Sequence, residues 1–103
     1  MSIFNIFNRG NKFNEGVQQA KETTGAILLD VRTKEEYKAG HVPGAVNIPL
    51  DSLQSAKLDK GKPLFVYCLS GARSGRACSY LKQQGFEAAN IGGISNYSGE
   101  LER

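Results

Sequence analysis

The residues with the most chemical potential stand in one run, Tyr67-Cys68-Leu69-Ser70-Gly71-Ala72-Arg73-Ser74. Four residues separate a cysteine from an arginine, and one of the four is a glycine. The thiolate is the nucleophilic form of cysteine, and it needs surroundings that favour an anion. The apolar run Pro63-Leu64-Phe65-Val66-Tyr67 has the composition of a short strand buried on both faces. A helical pattern follows from about residue 72 to 82. Cys68 thus stands where a buried strand ends and shortly before a helix begins. Backbone N–H groups at such a helix start have no intrahelical partners. They can converge on an anion held above the sulfur and favour thiolate over thiol. Arg73 adds a permanent cation with a planar fork of donors. Gly71 permits the positive φ that a tight cradle tends to need. A lone cysteine is most often a small buried apolar residue. The composite of strand, Cys, Gly, Arg and helix is what favours the catalytic reading.

The elements that must hold this run are legible along the chain. Asn14 is placed to cap a helix over residues 14–23, with Val17 and Ala20 on one face. Residues 26–29 form a short buried strand, with Asp30-Val31-Arg32 at its exit. Thr33 and Glu36 spell a capping box for a helix that runs to Ala39 and stops at Gly40. His41-Val42-Pro43-Gly44 is a turn, residues 45–48 a strand closed by Pro49, and residues from 50 or 51 to about 56 a short helix. The helix after the cysteine turns Ala77, Tyr80 and Leu81 inward. Residues 88–91 form a last strand, and Gly92-Gly93 a turn. Residues 1–12 read as a tail or an edge strand. Strands alternating with helices predict an α/β fold, a mostly parallel sheet of four or five strands with helices on both faces. Ligands of such sheets bind at the carboxyl ends of the strands, where Asp30 and Cys68 both lie.

The bulk numbers narrow the classes. A chain of 103 residues with 40% apolar content predicts a single domain over 1–103. The net charge of +3 is scattered, without a block of like charge. Small-anion attraction accounts for it, and no nucleic-acid partner is expected. Cys68 and Cys78 make no disulfide framework, so a reduced cytoplasmic protein is expected. No apolar run approaches the roughly 20 residues of a membrane helix, and the start lacks the marks of a signal peptide. One histidine and two cysteines make no zinc ligand set. No metal or cofactor is expected.

With these residues in hand, the chain resembles the single-domain rhodaneses, a family of sulfurtransferases. The resemblance covers about residues 26–97. It rests on Leu29-Asp30-Val31-Arg32, Glu36-Tyr37, the run from Gly40-His41 through Ile48-Pro49, the Cys68–Ser74 loop, Leu81-Lys82-Gln83-Gln84-Gly85-Phe86, and Gly92-Gly93-Ile94. It implies an enzyme that works through a Cys68 persulfide. The Cys68 thiolate takes a sulfane sulfur from thiosulfate or another persulfide donor. It passes the sulfur to a thiophilic acceptor such as cyanide or a thiol, which can be a protein thiol. The loop Leu69, Ser70, Gly71, Ala72, Arg73 and Ser74 is then the substrate-binding segment, its amides holding persulfide and leaving anion. The chemistry needs oriented dipoles, with neither a metal nor a base within the motif. Leu69 and Ser70 carry no charge where thiosulfate-using members often have a basic residue, which weighs against a dianionic donor.

Asp30, Arg32, Glu36 and His41 read as structural support. Asp30 and Arg32 are expected to form a hydrogen-bonded pair, with Arg32 facing Glu36, that fixes the turn after the strand. The resemblance puts His41 in a turn that organises the fold, against its use as a general base. Cys78 is expected to pack in the core; a resolving thiol is the minority reading. Two other functions stay open. A phosphatase or arsenate reductase shares the general fold and a cysteine-to-arginine cradle, but phosphatases of this architecture have one more residue in the loop. A non-enzymatic rhodanese-like binding module is the third, and the presence of Cys68, Gly71 and Arg73 argues against it.

Overall fold

The computed structural model of the chain describes residues 11–103. The expected tail or edge strand at residues 1–12 lies outside the described residues up to residue 10. Helix α1 spans Lys12–Glu22. It starts earlier than the sequence predicts because Asn11, not Asn14, takes the cap: the Asn11 side chain accepts from the Asn14 N–H at 3.0 Å. The Asn14 side chain bonds Ser98 instead. Strand β1 is Ile27–Asp30, and helix α2 is Lys34–Ala39. The capping box of Thr33 and Glu36 forms as spelled. Strand β2 is only Val46–Asn47, and the next segment, Leu50–Ser55, is a 3-10 helix. Strand β3 is Leu64–Cys68, helix α3 is Ala72–Gln83, strand β4 is Ala88–Gly93, and a 3-10 turn covers Ile94–Asn96.

The four strands pair in parallel in the order β2-β1-β3-β4. All five residues of β3 are buried, as its unbroken apolar composition requires. Period-two alternation divides them. Leu64, Val66 and Cys68 face a cluster with Leu29, Leu53, Ala77, Cys78 and Leu81. Phe65 and Tyr67 face the opposite cluster, with Phe13, Val17, Leu28 and Val42. Each such side chain contributes about 1.5–3 kcal/mol when taken fully out of water. Phe13 meets the Tyr67 ring edge-on at 5.4 Å, pinning α1 beneath the strand that carries Cys68. Tyr80, expected inward, is only partly buried at the margin of the first cluster. Among the described residues no helix is long and apolar enough to cross a membrane.

One expectation is corrected. Gly92-Gly93 is not a turn but the end of β4, paired with Tyr67 and Cys68 across a register irregularity. A Cβ on Gly93 would lie 2.6 Å from the Ser70 Cα and overlap the Leu69 carbonyl. The glycine is there so that the strand can run against the cysteine loop.

Candidate active site

Cys68 is the last residue of β3 and is 1% exposed. The chain turns back at once into α3. Gly71 makes the reversal as the helix N-cap, with φ +108°, a conformation that residues with a Cβ rarely adopt. The turn aims donors at the sulfur. The Gly71 N–H donates to Sγ at 3.0 Å, the Ser74 N–H at 3.3 Å, and the Ser74 hydroxyl lies 3.4 Å away. Burial pushes the Cys68 thiol up, but the Ser74 hydroxyl and the N–H groups of Ser74, Gly71 and Ser70 outweigh it. The thiol falls below its ordinary range.

Arg73 does not turn its fork toward the loop. Its two terminal nitrogens hold both oxygens of Glu36, at 2.7 and 3.0 Å. This corrects the expectation that Arg32 faces Glu36. The reason is geometric: Arg32 is turned to Asp30 and the Gly40 carbonyl. Its Nε and Nη2 hold the Asp30 carboxylate at 2.7–3.1 Å, and Nη2 also reaches the Gly40 carbonyl at 2.8 Å. Glu36 is thereby left for Arg73, whose bidentate grip holds its carboxyl down at about 2. The same bonds raise Arg73. The pair ties α2 to the first turn of α3 and so anchors the loop.

The Asp30–Arg32 pair forms as expected, the two side chains being 0% and 6% exposed. Asn47 closes it by donating to the carbonyls of both residues. His41 is occupied elsewhere. Its Nδ1–H donates to the Tyr37 carbonyl at 2.8 Å, its ring stacks on Tyr37 at 3.7 Å, and Nε2 faces Glu102. None of its described partners belongs to the cysteine loop. The side chains of Leu69, Ser70 and Ala72 point outward; Leu69 is 46% exposed. Cys78 is a free, buried thiol held up by burial.

One residue was missed. Asn90, in the edge strand β4, bonds the Ser74 hydroxyl at 2.7 Å and the Gly71 carbonyl at 3.1 Å. The only sequence signal was a polar amide two residues before Gly92-Gly93, in a strand paired beside the cysteine.

What this arrangement can do is hold a sulfur anion at a strand end on backbone N–H groups and a serine hydroxyl. The comparisons agree in kind. The Rhodanese-like domain family matches residues 13–100. A "Sulfurtransferase" of Allochromatium vinosum is 37% identical over 67% of this chain and 66% of its own. "Putative sulfurtransferase YtwF" of Bacillus subtilis is 41% identical over 73% of this chain and 76% of its own. The chain spans about two thirds of the length of the first curated relatives it matches. The crystal structure of SSP1007 from Staphylococcus saprophyticus superposes with a TM-score of 0.78 at 28% identity, covering 88% of this chain and 95% of that one. "Rhodanese with anions from E. coli" does so with a TM-score of 0.66 at 34% identity, over 76% and 98%. With 88 of its residues matched by the family and a parallel sheet that ends in a donor-lined cysteine, this chain belongs to the rhodanese-like domain family.

Proposed function

We propose that the protein is a sulfurtransferase whose nucleophile is Cys68. The observation that carries the reading is the set of donors on Sγ: N–H groups from Gly71 and Ser74 and the Ser74 hydroxyl, on a sulfur that burial alone would keep neutral. Such preorganised donors stabilise an anion at no cost of reorganisation when it forms.

In the first half-reaction the Cys68 thiolate attacks the outer, sulfane sulfur of the donor. A new S–S bond forms to Cys68, and the donor's S–S bond breaks with its electron pair leaving on the departing group. With thiosulfate that group is sulfite, and Cys68 is left as a persulfide anion. In the second, a nucleophile such as cyanide or a thiolate attacks the outer sulfur of the persulfide. The Cys68–sulfur bond breaks, the product is thiocyanate or a new persulfide, and the Cys68 thiolate returns to its donors. No net proton is needed in either step with anionic reactants, which fits a loop holding no acid or base in contact with Sγ.

The donor follows from the loop's outer face. Leu69 and Ser70 offer no charge to a dianion, and the Arg73 guanidinium is committed to Glu36. A persulfide of a small thiol or of a protein fits this mouth better than thiosulfate. Two free cysteines suit a reducing compartment such as the cytoplasm. Incubation with thiosulfate or a thiol persulfide, followed by intact-protein mass spectrometry, is the test. The expected result is a gain of one sulfur on Cys68 that cyanide removes as thiocyanate. No sulfur gain from either donor, or aryl-phosphate hydrolysis as fast as thiocyanate formation, would overturn the reading.

A further inference from the structure

We propose that Asn90 is a positioning residue for Cys68, which parks the Ser74 hydroxyl proton until the sulfur carries charge and clamps the loop through the Gly71 carbonyl. The inference rests on Cys68 being the nucleophile, and it concerns a residue on a different element, β4.

The hydrogen bonds can be counted. A serine hydroxyl has one proton to donate. Three acceptors surround the Ser74 oxygen: Asn90 Oδ1 at 2.7 Å, the Gly71 carbonyl at 3.1 Å and Cys68 Sγ at 3.4 Å. The Gly71 carbonyl already accepts from the Gly75 N–H at 3.0 Å and from Asn90 Nδ2 at 3.1 Å, which fills both of its lone pairs. The proton is therefore shared between Asn90 and sulfur. The orientation of the Asn90 amide is fixed by its other partners. The Gly92 N–H donates to Oδ1 at 3.0 Å, and a carbonyl faces Nδ2, so the oxygen must point at Ser74.

Over a neutral thiol the short bond to Asn90 is the better one. Over a thiolate or persulfide anion a charge-assisted bond is roughly twice as strong as a neutral one, and the proton turns to Sγ. Position 90 must therefore offer a neutral acceptor. A carboxylate there would keep the proton, and would lose the donor on the Gly71 carbonyl. Asn90 is itself exposed while Ser74 is wholly buried, so substitution at 90 leaves the apolar core untouched.

The test is the pH profile of Cys68 alkylation by iodoacetamide, resolved by peptide mass spectrometry, in Asn90→Asp, Asn90→Ala, Ser74→Ala and the Asn90→Asp, Ser74→Ala double variant. Asn90→Asp should raise the apparent thiol pKa by about one unit with only a small drop in melting temperature, from the lost donor on the Gly71 carbonyl. The part of that rise carried by the hydroxyl should vanish when Ser74 is already alanine, leaving only the direct repulsion between carboxylate and thiolate. Asn90→Ala should lower the pKa slightly, since nothing then competes with Sγ for the hydroxyl proton, and slow the plateau rate several-fold, because the loop loses its clamp. An Asn90→Asp shift that persists in full without the hydroxyl, or an Asn90→Ala variant that matches wild type throughout, would overturn the proposal. Because alkylation requires no sulfur donor, a wild type that loads no sulfur would remove the proposed function and leave this result standing.

Discussion

Cys68 and Cys78 face the same apolar cluster, at 1% and 5% exposure, yet their thiols move in opposite directions. Burial pushes both thiols up, since it disfavours the thiolate. What separates them is the backbone around each. Cys78 sits mid-helix in α3, where every nearby N–H is committed to the helix ladder, and only the more distant charge of Lys82 pulls its thiol down. Cys68 sits where a strand has ended and the helix has not yet closed its first turn, so N–H groups are unspent and point at the sulfur. A buried thiol becomes reactive through the uncommitted donors around it, and depth in the core works against it.

The largest break in this comparison is to exchange the two roles. Cys68→Ser should reduce sulfur loading and thiocyanate formation to background with the melting temperature nearly unchanged. Cys78→Ser should load and release sulfur normally while losing about 1–3 kcal/mol of stability, because it buries a hydroxyl in an apolar site. A Cys78→Ser protein that loads sulfur but cannot release it would make Cys78 a resolving thiol.

Next comes the support under the loop. Asp30→Ala leaves the Arg32 charge buried without its partner, which costs about 3–5 kcal/mol. Denaturant midpoints should show this, while turnover per folded molecule stays near wild type. Unchanged stability with lost turnover would move Asp30 into the reaction itself.

The Glu36–Arg73 pair ties the start of α3 to α2, and its effect depends on pH. The folded carboxyl titrates at about 2, below its ordinary value near 4.3. Its contribution is therefore complete above the ordinary value and is lost as pH falls toward 2. Glu36→Gln should flatten stability against pH between about 4 and 2. Both partners are about a third exposed, so the effect is on the order of 0.5–1 kcal/mol. Equal acid sensitivity in wild type and variant would show that the pair contributes nothing.

The smallest effect sharpens the account of the donor. Leu69→Arg should speed loading by thiosulfate several-fold at low salt, with the gain fading as ionic strength rises. Loading unaffected at low salt would leave Cys68 in place and remove the argument about its donor.

How much of this was legible in the sequence varied with the range of the contact. The strand–cysteine–glycine–helix sequence, the Thr33–Glu36 box and the Asp30–Arg32 pair were readable, because each is decided within a few residues. Glu36 was misassigned because its four-residue spacing from Arg32 suggests a local pair. Its real partner is 37 residues away, and only the fold brings the two together. Gly92-Gly93 carries the composition of a turn. Its work as an irregular strand end, with Gly93 against Leu69 and Ser70, depends on β3 pairing with β4. Asn90 was invisible for the same reason, since an exposed amide in an edge strand gains meaning only from the loop that packs across it.

The most direct test of the central claim is a thiolate absorbance titration of wild type, Cys68→Ser and Cys78→Ser, taken as differences. The account predicts that the signal lost in Cys68→Ser titrates below the free-cysteine value of about 8.5, and that lost in Cys78→Ser above it. A Cys68 signal at or above 8.5, level with that of Cys78, would contradict it.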